Sequence, residues 1–442
     1  MPFAPSASLG FSPLDDELQL LPGGLTPSRE ESLVHLGTWM PFGRAMKELR
    51  FFNHVHMTEA TVRRDTEAAG AAYVAVQTAE VERLEQTAPS PPEGPAMQLL
   101  SVDGAMVPLV HREWAEVKTL VLGVVQPPVI EKGETVVHST ELSYLSRLAD
   151  AETFGHLALV ETYRRGTETA KQGCAVTDGA EWEQGFVDLH RRDATRILDF
   201  SHGAGYVADA GDAVYGEGTA TNQTWRKDTL HVLKHGSPDR VLTTLHEMHH
   251  QAQASEPGDG ATLTTLTTSL GYLEKRRAHI DYARFQQLGY PIGSGSVESG
   301  NTLVVEARLK GAGMHWARPH VDPMLGLRNI ACSDRWDEAW PQITKQLRRQ
   351  AHTAHLHRYQ RRRAKRTAST PVSERGAISA PVAPQETGPA RLPSVSASLK
   401  QPADSIPVAN QPYRPPTNHP WRHSPIGRAR FESTRRTGNA KL

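Results

Sequence analysis

The chain has 442 residues, enough for roughly two or three domains with cores of their own, although its 31 prolines signal stretches that do not pack. Lys and Arg total 49 and so do Asp and Glu, which excludes a uniformly basic nucleic-acid binder and leaves only the distribution of charge to argue from. The two cysteines, Cys174 and Cys332, exclude a disulfide framework and a cysteine-rich zinc site, and no apolar run approaches the roughly 18 residues of a membrane span, so a soluble, cytoplasmic protein is expected.

Residues 1–28, rich in Pro, Gly and Ser, form a leading segment with a short amphipathic island at 13–22. A helical region follows at 29–87. Leu33, Leu36 and Trp39 recur at helical spacing, then Phe42, Ala45, Met46 and Leu49, then Val62, Thr66 and Ala69. Helices at 41–52 and 58–69 around a turn at 54–57 fit a helix-turn-helix, capped by Thr58 or Thr61 and carrying Arg63 and Arg64 outward. Any small helical bundle fits the same pattern. A further helical stretch from residue 71 runs into a Pro-rich linker at 88–96.

After the linker the period becomes that of strands. Residues 97–110 predict a strand, a bend at Asp103-Gly104 and a second strand; 114–125 predict a third and 135–142 a fourth. A helix at 149–167, a buried strand at 174–177 leading to Asp178-Gly179, a helix at 182–189, a strand at 194–199 and a helix from His202 complete the first part of a core, 97–215. Antiparallel strands followed by strand-helix units predict an α/β fold with a mixed sheet of the ribonuclease H-like kind. Residues 216–289 show helical spacing, an all-helical insertion. Segment 290–350 then brings a loop of three glycines and a proline, places Glu298 in the first turn of a helix, and adds two closing helices. Basic residues crowd at its end and through 351–366, among them Arg348, Arg349, Arg361, Arg362 and Arg363, and 367–442 has the composition of a disordered tail.

Asp103 and Asp178 each end a strand-like run and precede glycine, and ligand-binding groups in sheets faced by helices lie at strand ends. Joined by Glu298 they make a pocket of hard oxygen ligands suited to two Mg2+ or Mn2+ ions. Ions roughly 3.5–4 Å apart activate an attacking hydroxyl and stabilise the leaving oxygen in an in-line displacement at phosphorus. Taken singly, Asp-Gly is also an ordinary turn and a helix-start glutamate an ordinary cap. Asp199 and His202, three apart at a strand-to-helix junction, are expected to hydrogen-bond across the turn and support the metal ligands; an Asp cap beside a surface His fits equally. His246-Glu247-Met248-His249-His250 matches the H-E-x-x-H pattern of zinc peptidases, but a helix with histidines on its solvated face is the simpler account.

The combination Leu100-Ser101-Val102-Asp103-Gly104, Val176-Thr177-Asp178-Gly179-Ala180-Glu181-Trp182, Ile197-Leu198-Asp199-Phe200-Ser201-His202, Pro291-Ile292-Gly293-Ser294-Gly295-Ser296-Val297-Glu298 and Arg308-Leu309-Lys310-Gly311-Ala312-Gly313-Met314-His315-Trp316 resembles the ISKra-type insertion-sequence transposases, bacterial DDE enzymes related to the Mutator-like group. The similarity runs from about Pro13 to Arg349. It implies a ribonuclease H-like catalytic domain with an all-helical insertion between the second Asp and the Glu. It also implies a metal-binding triad of Asp103, Asp178 and Glu298, with Asp199 and His202 as a D-x-x-H signature after the second acid. Gly37-Thr38-Trp39-Met40-Pro41-Phe42 with Thr61-Val62-Arg63-Arg64 looks like the family's N-terminal helix-turn-helix. The implied function is metal-dependent phosphodiester hydrolysis at insertion-sequence ends and strand transfer, with terminal repeats and target DNA as partners and a homodimer or larger assembly joining the ends. Arg308 and Lys310 are expected to face phosphates near the site, and the run from Arg348 to Arg366 to add non-specific, salt-sensitive affinity. The alternative is a catalytically inert, transposase-derived DNA-binding protein.

Overall fold

Among the described residues three helices precede the first strand: α1 (Pro27–Trp39), α2 (Phe42–Asn53) and α3 (Glu59–Thr87). His54 ends α2 in the left-handed region at φ 54°, and the Thr58 hydroxyl accepts the Thr61 N–H at 3.2 Å to open α3. The turn lies where the sequence predicts it, but α3 is unbroken for 29 residues. Gly70 does not interrupt it. A Cβ at Gly70 would lie 2.1 Å from the Pro323 carbonyl oxygen, so this glycine serves a close helix crossing. This computed structural model describes residues 25–131, 133–254 and 260–368, within the unit Met1–Pro371. The leading segment before residue 25 and the tail beyond 368 lie outside the described residues.

The fold is mixed α/β. β1 (Met97–Pro108) runs straight through Asp103-Gly104, where Gly104 pairs with Lys118; the predicted bend there is absent. The chain turns instead at residues 110–113, with His111 and Arg112 at positive φ, into β2 (Trp114–Val125). A small hairpin of β3 (Val129–Glu131) and β4 (Glu134–Val136) leads to β5 (Ser139–Arg147). The predicted strand at 135–142 is thus divided between two sheets. Next come α4 (Ala151–Arg164), β6 (Gln172–Thr177), α5 (Glu181–His190), β7 (Thr195–Leu198) and α6 (Phe200–Tyr215). The sheet order is β5-β2-β1-β6-β7, antiparallel among β5, β2 and β1 and parallel from β1 through β6 to β7.

Alternation along β1 sorts the core. Leu100 and Val102 face a cluster with Phe154, Ala158 and Phe186 of α4 and α5. On the other face, Ala105 and Val107 join Leu33, Leu49, Val62 and Tyr73 of the N-terminal helices, whereas Leu99 joins residues of the later helical insertion. The N-terminal helices therefore share their core with the sheet. The predicted linker is also knit in, since Lys171 and Gln172 donate backbone N–H groups to Pro95 and Ala96 at 3.1 and 3.0 Å.

The insertion comprises α7 (Ala220–His235), α8 (Pro238–Ala254), α9 (Gly260–Lys275) and α10 (Tyr282–Gln287), and its Leu245, Leu266, Leu270 and Leu273 pack toward Cys174, Val176 and Ile197. The chain returns to the sheet through α11 (Gly295–Gly300), a π-helical turn at Asn301–Glu306 and a last α turn at Ala307–Leu309. α12 (Val321–Cys332) carries Pro323, and α13 (Trp336–Ala368) continues without interruption through the basic segment that the sequence sets apart. Among the described residues no helix is long and apolar enough to cross a membrane.

Candidate metal centre

β1 and β6 run parallel side by side with Leu100 opposite Ala175. Three residues further along each lie Asp103 and Asp178, so the register alone brings the two predicted acids to one level. Carboxylate oxygens of Asp103, Asp178 and Glu183 lie within 4.8 Å of one another. Glu183 sits in the first turn of α5 and is 1 % exposed. Its Oε2 accepts the Gly179 and Ala180 N–H groups at 3.0 and 3.1 Å, while Asp178 Oδ1 accepts the Ala180 N–H at 2.9 Å. Sequence reasoning passed over Glu183 because an acid in a first helical turn looks like a cap; the one available signal was its closeness to Asp178.

Asp103 Oδ1 accepts the Gly104 N–H at 2.7 Å and Oδ2 accepts Asn301 Nδ2 at 2.9 Å. Burial, with Asp178 adding repulsion, pushes the Asp103 carboxyl up to about 6 despite those two bonds and the opposing pull of His202. Burial pushes Glu183 up to about 10, reinforced by Asp178 and Asp103. Three acids so close resist simultaneous ionisation, and a divalent cation among them removes that penalty. Asn301 Oδ1, buried beside Asp103, has no hydrogen-bond partner among the described residues. Hard oxygens and this unpartnered acceptor fit a metal ion.

Glu298 stands apart from the three-acid group. It is exposed on α11 and accepts the Ser294 hydroxyl at 3.3 Å. Asp199, 2 % exposed, caps α6 by accepting the His202 backbone N–H at 3.0 Å, and also accepts the Ser201 hydroxyl and, at 2.6 Å, the Ser294 N–H. The expected Asp199–His202 pairing is therefore through the backbone rather than the ring, because the helix start claims the carboxylate. Asp199 thereby ties β7 to the loop before Glu298, as does the Phe200 N–H on the Ile292 carbonyl at 2.9 Å.

The insertion also reaches the site. The Tyr272 hydroxyl donates to the Asp178 carbonyl, Arg276 donates to the Gly179 carbonyl at 2.5 Å and lies 3.7 Å over the Tyr272 ring, and Tyr206 stacks on Tyr272 at 3.9 Å. No sequence motif announces this clamp.

The basic residues divide. Arg63 and Arg64 are exposed on α3, ion-paired to Glu67 and Asp65. Arg308 does not face solvent: it is 2 % exposed, with its guanidinium between Phe42 and Trp316 at 4.6 and 5.1 Å and Nε donating to the Gly37 carbonyl. The helix that carries it packs on the N-terminal helices, and burial lowers the guanidinium to about 10. Lys310 is half-buried and bonded to Glu306. Arg348 is half-buried, Arg349, Arg361 and Arg362 are exposed along α13, and Arg363 lies on the same helix. In the H-E-x-x-H segment, His246 meets Glu274 at 2.7 Å and His249 meets Thr267 at 3.0 Å, and among the described residues no metal-ligand group forms there.

No family model matches the chain, and no curated protein sequence matches it.

Proposed function

We propose that this chain is a metal-dependent DNA-cleaving and strand-transferring enzyme, a DDE transposase resembling the ISKra-type insertion-sequence enzymes. The observation that carries the reading is the meeting of Asp103 on β1 with Asp178 just past the end of the adjacent parallel β6, with Glu183 closing the group. Three antiparallel strands followed by two parallel ones, and a helical insertion between Asp178 and Glu298, support the ribonuclease H-like assignment. Carboxylate oxygens of Asp103, Asp178 and Glu183 would hold Mg2+ or Mn2+, which when bound supplies charge neutralisation at a phosphate and a more acidic water.

The chain's own part is positioning. Gly104 and Asn301 fix the Asp103 carboxylate, Tyr272 and Arg276 hold the turn that presents Asp178, and Asp199 anchors the loop before Glu298. Glu298 lies three residues before Asn301, on the same helical face, and in the triad reading it is the third acid. Arg63 and Arg64 on the helix-turn-helix side, and Arg349, Arg361 and Arg362 on α13, supply cations for DNA phosphates. Joining two element ends calls for two copies of the chain.

The inert DNA-binding reading is favoured by one observation, the separation of Glu298 from the acid group. Cleavage of a duplex carrying the DNA that flanks this chain's own coding sequence, in Mg2+ or Mn2+, decides between them. Cleavage by the parent that is lost in Asp178→Ala supports the transposase; binding by both without cleavage supports the inert protein; failure to bind any duplex removes both.

A further inference from the structure

The helix expected to deliver Glu298 to the acids delivers Asn301 instead. Asn301 is 6 % exposed, and its amide donor is already used, Nδ2 to Asp103 Oδ2 at 2.9 Å. Its acceptor Oδ1 is buried and has no hydrogen-bond partner among the described residues. The two amide atoms share one carbon, so this oxygen is within an amide's width of the nitrogen bonded to Asp103, itself a member of the group formed with Asp178 and Glu183.

Buried polar groups are almost always satisfied, and an exception in a native fold calls for a reason. Neighbouring carboxylates repel an amide oxygen. A hydrogen-bond donor or a cation would satisfy it, and the acids nearby select the cation. Amide oxygens are hard, neutral ligands of the kind Mg2+, Mn2+ and Ca2+ accept together with carboxylates.

The backbone is shaped to put Asn301 there. Asn301 opens the π-helical turn Asn301–Glu306, a local widening that recurs at functional sites. Gly300 just before it allows the helix to press onto the sheet, since a Cβ at that position would come within 2.9 Å of Val121 Cγ2 and 3.1 Å of Tyr144 Cε1. With a side chain at 300 the helix would stand further off, and the Asn301 amide would not reach Asp103.

We propose that Asn301, through Oδ1, is a direct ligand of the divalent cation held by Asp103 and Asp178, the neutral oxygen in an otherwise carboxylate site. This rests on the metal-site reading above and adds to it a residue that the triad does not contain. Nδ2 orients one ligand while Oδ1 supplies another, so one amide does both tasks.

The test is Mn2+ binding to the full chain without DNA, by calorimetric titration and by the Mn2+ paramagnetic resonance signal, for the parent, Asp178→Ala, Asn301→Leu and Asn301→Asp. Leucine keeps the volume and removes both polar atoms; aspartate keeps an oxygen and removes the donor. Asn301→Leu is expected to weaken Mn2+ binding by about tenfold or more, and Asn301→Asp to stay within about threefold of the parent. Should the leucine variant not fold, Asn301→Ala carries the same comparison without added bulk. Asn301→Leu binding within twofold of the parent, while Asp178→Ala loses binding, overturns the assignment and leaves Asn301 a structural residue. Equal loss in Asn301→Asp and Asn301→Leu also overturns it, because orientation of Asp103 would then be the whole role. A parent that binds no Mn2+, or an Asp178→Ala variant that binds as the parent does, brings down the metal site itself and the ligand with it.

Discussion

Asp103 holds a proton more tightly in the fold than in the unfolded chain, its carboxyl rising from 3.8 to about 6. The sign of the linkage follows: without metal, the native state binds the extra proton between those values, so stability falls as pH rises through that window. A shift of about two pKa units bounds the loss at about 3 kcal/mol. Asp103→Asn removes it, and urea unfolding of metal-free protein is expected to show a variant-minus-parent difference that grows from pH 4.5 to pH 7.5; a difference that shrinks contradicts the burial of an ionised Asp103. Glu183 offers a second residue-scale test. Its side chain satisfies two buried N–H groups, so Glu183→Gln should keep the fold while Glu183→Leu loses about 2 kcal/mol or more in thermal unfolding. These residues also show what sequence can and cannot carry. Asp103 and Asp178 were legible because each follows a strand-like run and meets a glycine, even though β1 continues past Asp103. Glu183 and Asn301 were not, since one resembles a cap and the other an unremarked helical amide, and their roles depend on which elements pack together. Arg308 was misread for the same reason: a basic residue after a glycine-rich loop looks exposed until the N-terminal helices cover it.

At the scale of elements, the insertion is more than a spacer, because α9 ends in the residues that hold the Asp178 turn. Tyr272→Phe removes one hydroxyl while keeping the ring beside Tyr206 and Arg276. It is expected to lower stability by only about 1 kcal/mol and Mn2+ affinity by about tenfold, measured by thermal melting and calorimetric titration on the same preparation; unchanged affinity would detach the insertion from the site. The crossing of α3 and α12 gives a purely structural contrast. Gly70→Val drives a side chain into the Pro323 carbonyl and should destabilise by about 3 kcal/mol in chemical unfolding. Periodicity revealed most helices, yet it divided α3 at Gly70 and bent β1 at Gly104. In both places glycine serves a close approach or a pairing position rather than a chain reversal, and local pattern does not distinguish these uses.

For the whole molecule, the chain order of strands and helices was legible, whereas the sharing of one core between the N-terminal helices and the sheet was not, because the joining of Tyr73 and strand residues such as Val107 in one apolar cluster leaves no trace in local spacing. Its charge is balanced on average and uneven in space. The proposed DNA contact makes affinity fall with salt, each phosphate contact contributing about 0.9 to the slope of log K against log salt. Arg361→Gln with Arg362→Gln should lower that slope by about 2, and Arg308→Met, which alters a buried cation, should leave it unchanged; the reverse pattern in a fluorescence titration would relocate the DNA surface. The helix bearing those arginines has a further consequence. α13 spans 33 residues, about 50 Å at 1.5 Å per residue, and its first turns are seated in the core by Ala339, Trp340 and Ile343. On the proposed function such an arm would act as a ruler. A phosphate gripped along it would sit at a set distance from the acids, so the place where a strand is cut would become a matter of length, counted in helical turns, rather than of the bases at the cut.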